Sequence, residues 1–156
     1  MAEGEFALVR NYMEIALKKT AAWIGEHDLY AMLADAAAQQ RDESALKKYA
    51  PLAEEFASRY DHKLYQAIAH RAWGVAHRMA GQHAESKTRL NQALELFQQL
   101  DTRWQIGRTL FEMGELALSR NENKDAHEHF SHALSTFSAL GAIPDATRTR
   151  EKLAML

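Results

Sequence analysis

From His83 to Leu100 the apolar residues Ala84, Leu90, Ala93, Leu94, Phe97 and Leu100 fall at the i, i+3, i+4, i+7 spacing of one helical face. From Lys124 to Leu140 the set Ala126, Phe130, Ala133, Leu134, Phe137 and Leu140 does the same. Strands have no comparable claim, because period-2 alternation of β-branched residues is missing. Breaks at Gly25–Asp28, Gln40–Ser44, Tyr60–His62, Ala80–Gln82, Asp101–Thr102, Arg120–Asn123 and Gly141–Pro144 divide the chain into eight helices. Gly141 suits the position just past a helix end, and Pro144 the first turn of the next helix. Pro51 lies inside the helix drawn from Asp42 to Tyr60, and its ring should kink or split it.

The two apolar sets are copies of each other. Gly74 recurs as Gly114, Leu90 as Phe130, Ala93-Leu94 as Ala133-Leu134, Phe97 as Phe137 and Leu100 as Leu140, each pair 40 residues apart. A repeat of this length predicts stacked helical hairpins, which cannot bury their apolar faces alone and build an elongated solenoid. Helix-interior glycine costs about 1 kcal/mol against alanine, so Gly74 and Gly114 predict places where two backbones approach closely, with the small Ala93 and Ala133 facing them.

These residues resemble the tetratricopeptide repeat. The pattern reads Leu110, Met113-Gly114, Ala117, Ala126, Phe130, Ala133 in the last full repeat and His70, Trp73-Gly74, His77, Ser86, Leu90, Ala93 in the middle one. A weaker first copy reads Tyr30, Leu33-Ala34, Ala37, Leu46, Ala50, Ala53, without the glycine. The forty-residue period and the phrase LELFQQLDTRWQIG (Leu94–Gly107) are similar to the long-helix subgroup of regulatory proteins. That subgroup includes repeat regions of large ATP-binding transcriptional regulators, kinesin light chains and cell-polarity adaptors. The resemblance implies an all-α, right-handed superhelix of about three and a half antiparallel hairpins. Its expected parts are an N-terminal helix over 1–27, repeats over 28–60, 61–100 and 101–140, and a C-terminal capping helix over 144–156. In that cap Ala146, Leu153 and Leu156 should cover the preceding hairpin. The resemblance also implies a binding scaffold without an active site, whose first helices line a concave groove for a protein or peptide. The lysine–asparagine clamp of some members has no counterpart, since the first helices of the two best repeats hold no lysine after Lys63 and no asparagine.

Composition narrows the partners. A formal charge of −2 gives no broad basic field for nucleic acid, and zero cysteines exclude disulfide scaffolds, thiolate chemistry and cysteine-based zinc sites. No apolar run approaches the roughly 18 to 20 residues that cross a bilayer, and the opening Met1–Phe6 is acidic where a secretion signal is basic, so a cytoplasmic location is expected. Residues 1–6 are set aside, because Glu-Phe is also what a cloning site encodes.

Repeat register places Ile68, Arg71, Val75, Arg78 and Met79 in the groove from one hairpin, and Arg108, Phe111, Glu115, Leu118 and Ser119 from the next. Arg148 and Glu151 continue the line. Arginine forks among apolar anchors suit a peptide with acidic and apolar residues; the bland alternative is a solvated face with ordinary pairs such as Arg108 with Glu112. His127, His129 and His132 invite a metal, yet they do not share one helix face and lack the HExxH order, so no metal or other cofactor is expected. Gly-rich phosphate loops, nucleophile elbows and paired carboxylates are missing, so an enzyme is not expected. Trp23, Trp73 and Trp104 read as packing residues. Two rival readings are a regulatory domain that senses a small ligand or signalling peptide, and self-association through exposed end helices to a homo-oligomer.

Overall fold

A computed structural model describes residue 8, residues 10–16 and residues 26–156. Trp23 and much of the expected N-terminal helix lie outside the described residues. The described residues form α1 (10–16), α2 (Glu26–Gln40), α3 (Glu43–Arg59), α4 (Lys63–Met79), α5 (His83–Gln99), α6 (Arg103–Ser119), α7 (Asn123–Ala139) and α8 (Ile143–Leu153), with no strand among them. Consecutive helices from α2 onward pack on each other, and α2 also packs on α4.

The chain keeps a meter of 20 residues per helix, seen in the starts at Glu43, Lys63, His83, Arg103, Asn123 and Ile143. The turns set it. Each helix from α2 to α7 is followed by a left-handed residue, namely Arg41, Asp61, Gly81, Asp101, Asn121 and Gly141, at φ between 47° and 74°. The next N–H then reaches back five residues to a helix carbonyl, as from Thr102 to Phe97 (3.0 Å) and from Ala142 to Phe137 (2.9 Å), which closes the helix end. Asp and Asn tolerate this conformation better than other L-residues, so three of the six turns use them in place of glycine, while Arg41 adopts it and donates from Nη1 to the Ala38 carbonyl at 2.8 Å. At its start α3 is capped by Asp42, which accepts from the Ala45 N–H at 3.0 Å.

Close approach explains the interior glycines. A Cβ on Gly74 would sit 2.7 Å from the Leu90 side chain, and one on Gly114 would sit 2.7 Å from Phe130. The nearest atoms thus belong to the large residues of the second helix, while Ala93 and Ala133 are fully buried. The first repeat needs no glycine because Ala34 shares its cluster with the small Ala50, the counterpart of Leu90 and Phe130. Phe97, Phe130 and Phe137 are at most 1% exposed, and each contributes about 2–3 kcal/mol of apolar burial.

Two expectations are corrected. Pro51 does not split its helix: α3 runs unbroken from Glu43 to Arg59 with Pro51 on its exposed side, where water can satisfy the carbonyl that loses its partner. In α8, Ala146 is buried and Leu153 packs on the Phe111–Phe130–Phe137 cluster, but Leu156 is 39% exposed, because the helix ends at Leu153.

Candidate functional site

The first helix of each pair, α2, α4, α6 and α8, carries the face that repeat register expects to be inner, with α2 packed on α4 and α4 on α6. Of the residues expected to line an open groove there, Ile68, Val75 and Phe111 are core, at 7%, 0% and 5% exposure. Met79 and Leu118 are half-buried against neighbouring clusters. The apolar anchors are therefore consumed by packing between successive pairs, while Ser119 and Glu151 remain exposed.

The charged residues form two three-membered clusters. In the first, Asp35 of α2 receives a two-pronged bond from Arg108 of α6 (2.8 and 3.0 Å) and a third bond from Arg71 of α4 (2.8 Å). Arg71 is 1% exposed, donates to the Gln105 carbonyl at 3.2 Å, and lies 4.9 Å over the Phe97 ring. In the second cluster, Glu112 of α6 lies 2.9 Å from Arg41 of the α2–α3 turn and 3.2 Å from Arg78 of α4. Side chains of α2 and of the turn after it thus reach α6 at two places. Arg108 pairs with Asp35 rather than with its helix neighbour Glu112, which corrects the simple i, i+4 reading.

Electrostatics follow from this closure. Burial disfavours the charge on Asp35, but Arg108 and Arg71 outweigh it and hold its carboxyl at about 2. Burial, then repulsion from Arg108, lowers the Arg71 guanidinium to about 10, so it stays charged at neutral pH. On Glu112 burial is again outweighed, here by Arg41 and Arg78, and the carboxyl stays below its ordinary range.

Toward α8 the face opens. Glu115 pairs with Lys152 at 2.8 Å. Arg148 is exposed and stacks 4.4 Å over the Phe111 ring, beside a shallow pocket that also takes in Gln39, Arg108, Glu112 and Asp145. Asp145 accepts from Trp104 Nε1 at 3.0 Å, and Trp104 is 42% exposed at this edge.

Asp35 and Arg41 were missed by repeat register, since both lie in the weakest repeat. One signal was available: Asp35 is the only charged residue between Asp28 and Arg41, in a run of alanines that a surface helix does not need. On the outer side, Glu54 accepts from Trp73 Nε1 (2.8 Å) and Arg89 Nη1 (2.5 Å), and Arg89 also donates to His70 Nδ1 at 2.8 Å. Trp73 is accordingly a packing residue with a fixed polar end. Among the described residues no group of three or more His, Asp and Glu side chains is arranged to hold a metal ion.

Stacked pairs of equal helices, glycine set against a large residue, and a charged inner face all belong to one kind of repeat, and the tetratricopeptide repeat family matches residues 65–139. Over this stretch the chain carries tetratricopeptide repeats. Comparison with curated proteins gives no match. Tetratricopeptide repeats generally mediate protein–protein interaction, which fits a scaffold. No helix among the described residues is long and apolar enough to cross a membrane.

Proposed function

We propose that this protein is a non-catalytic, cytoplasmic interaction scaffold that receives an acidic segment of a partner protein on its inner face. The observation that carries the reading is the ratio of charges: Asp35 and Glu112 each hold two arginines, and Arg148 adds another. The five guanidiniums and Lys152 face Asp35, Glu112, Glu115 and Asp145, and this excess of two positive charges leaves a positive field on a protein whose net charge is −2. Such a field steers acidic partners and raises the rate of encounter. The accessible part is the side facing α8, where the exposed Arg148 shares a pocket with Arg108, and Arg78, Glu115, Met79 and Leu118 lie along the same line of repeat positions. The forty-residue period supports placement in the long-helix subgroup. An array of peptides with acidic, neutral and basic sequences tests the reading. Retention should favour acidic peptides and fall as salt rises; no acidic bias would overturn the choice of partner, and no retained peptide at all would overturn the scaffold.

A further inference from the structure

The repeat register supplies one arginine without its carboxylate. Arg108 and Arg148 are equivalent positions 40 residues apart, each followed by threonine. Arg108 finds its carboxylate on Asp35, 73 positions earlier in the chain. The residue 73 positions before Arg148 is Val75, which is apolar and fully buried. Arg71, Arg78, Arg108 and Arg41 are all engaged by Asp35 or Glu112, whereas Arg148 has no ion pair among the described residues.

We propose that the pocket between α6 and α8 is a carboxylate seat, in which Arg148 takes an aspartate or glutamate side chain of an acidic peptide segment. The inference rests on the acidic-partner reading above and names where its carboxylate sits. The cation–π contact with Phe111, 4.4 Å from guanidinium carbon to ring centroid, holds the Arg148 head at the pocket, and with no ion pair of its own its N–H fork can take a carboxylate in two-pronged fashion. The carboxylates nearby, Glu112, Glu115 and Asp145, act on Arg148 through space, but none forms an ion pair with it, because each is held elsewhere. Glu112 is held by Arg41 and Arg78, Asp145 by Trp104 Nε1, and Glu115 by Lys152. Arg108 lines the same pocket, and so does Gln39, whose amide Nε2 is engaged in donating to Asp35 at 3.1 Å. Burial, then repulsion from Arg41, lowers the pKa of Arg148, and the charge of an incoming anion would offset the repulsion. A peptide is favoured over a small acid because the pocket is shallow and opens along the inner face, where further positive charge continues.

The indole N–H of Trp104 reports on the seat, since it bonds Asp145 at the rim and its ring lies 4.7 Å from the Arg108 guanidinium. The full chain labelled with 15N is titrated with hexaglutamate and, separately, with citrate at constant ionic strength. The indole resonance is assigned by its loss in Trp104→Phe. Hexaglutamate should shift the resonance saturably, Arg148→Ala should weaken binding by about tenfold, and Arg148→Lys should weaken it less. Arg148→Gln, which keeps length over Phe111, guards against a packing artefact, and the exposed Arg59→Ala should match the parent. Binding of hexaglutamate unchanged in Arg148→Ala and Arg148→Gln overturns the seat but leaves the acidic-partner reading standing. No binding of hexaglutamate to the parent overturns both. Citrate binding through Arg148 as tightly as hexaglutamate overturns the peptide as occupant.

Discussion

Asp35→Asn tests whether the inner face is closed from within. The substitution keeps size and removes the one charge that faces Arg71 and Arg108. Holding the carboxyl at about 2 rather than 3.8 corresponds to roughly 2.5 kcal/mol of stability at neutral pH. The asparagine should cost more, about 3–5 kcal/mol, because Arg71 at 1% exposure is left as a buried charge without its counterion. Its pH dependence has a definite sign. The folded carboxyl titrates below the unfolded one, so its contribution is complete above about pH 5 and is lost as pH falls toward 2. Between pH 7 and pH 3 the gap between parent and Asp35→Asn should therefore narrow by about 1 kcal/mol. Urea unfolding followed by circular dichroism at both pH values measures this directly. Replacing Asp35, Arg71 and Arg108 together by Leu, Met and Met should be less harmful than Asp35→Asn alone, since no orphaned charge remains. Equal urea midpoints for parent and Asp35→Asn at pH 7, with equal slopes, would refute the closed network and mean that both guanidiniums are solvated.

Gly114→Leu should lower stability by about 1–3 kcal/mol or more, because even the first added carbon falls 2.7 Å from Phe130; an unchanged urea midpoint would remove the reason given for the interior glycines. Gly141→Ala meets nothing within 4 Å, so its cost of about 1–2 kcal/mol would come from the backbone at φ 66° alone, and Gly141→Asn should recover part of it. If alanine and asparagine behave alike there, the left-handed turn is not what closes α7. Burial, then Arg89, lowers the pKa of His70, so the unfolded chain binds its proton more readily and stability should fall as pH drops below about 6.5. His70→Gln, whose amide oxygen can still accept from Arg89, should flatten the melting-temperature slope between pH 8 and pH 5.5, and an unaltered slope would count against it.

What the sequence made legible here was local or strictly periodic. Helix positions, the close approach at Gly74 and Gly114 and the turn at Gly141 each follow from residues within one hairpin, or from a comparison at an offset of 40. The fate of the groove residues did not follow, because register says which side of a helix a residue takes but not how near the next turn of the solenoid comes. Ile68, Val75 and Phe111 sit where the expectation put them along the helices, yet neighbouring pairs cover them. Arg71 and Arg108 also share the expected face, but their counterion comes from Asp35, 36 and 73 positions away, in the repeat with the weakest pattern. An irregular repeat is where such a partner belongs. A carboxylate present in every repeat would have neutralised every arginine, whereas one at Asp35 and none at Val75 closes the face around α4 and leaves Arg148 available at its C-terminal side.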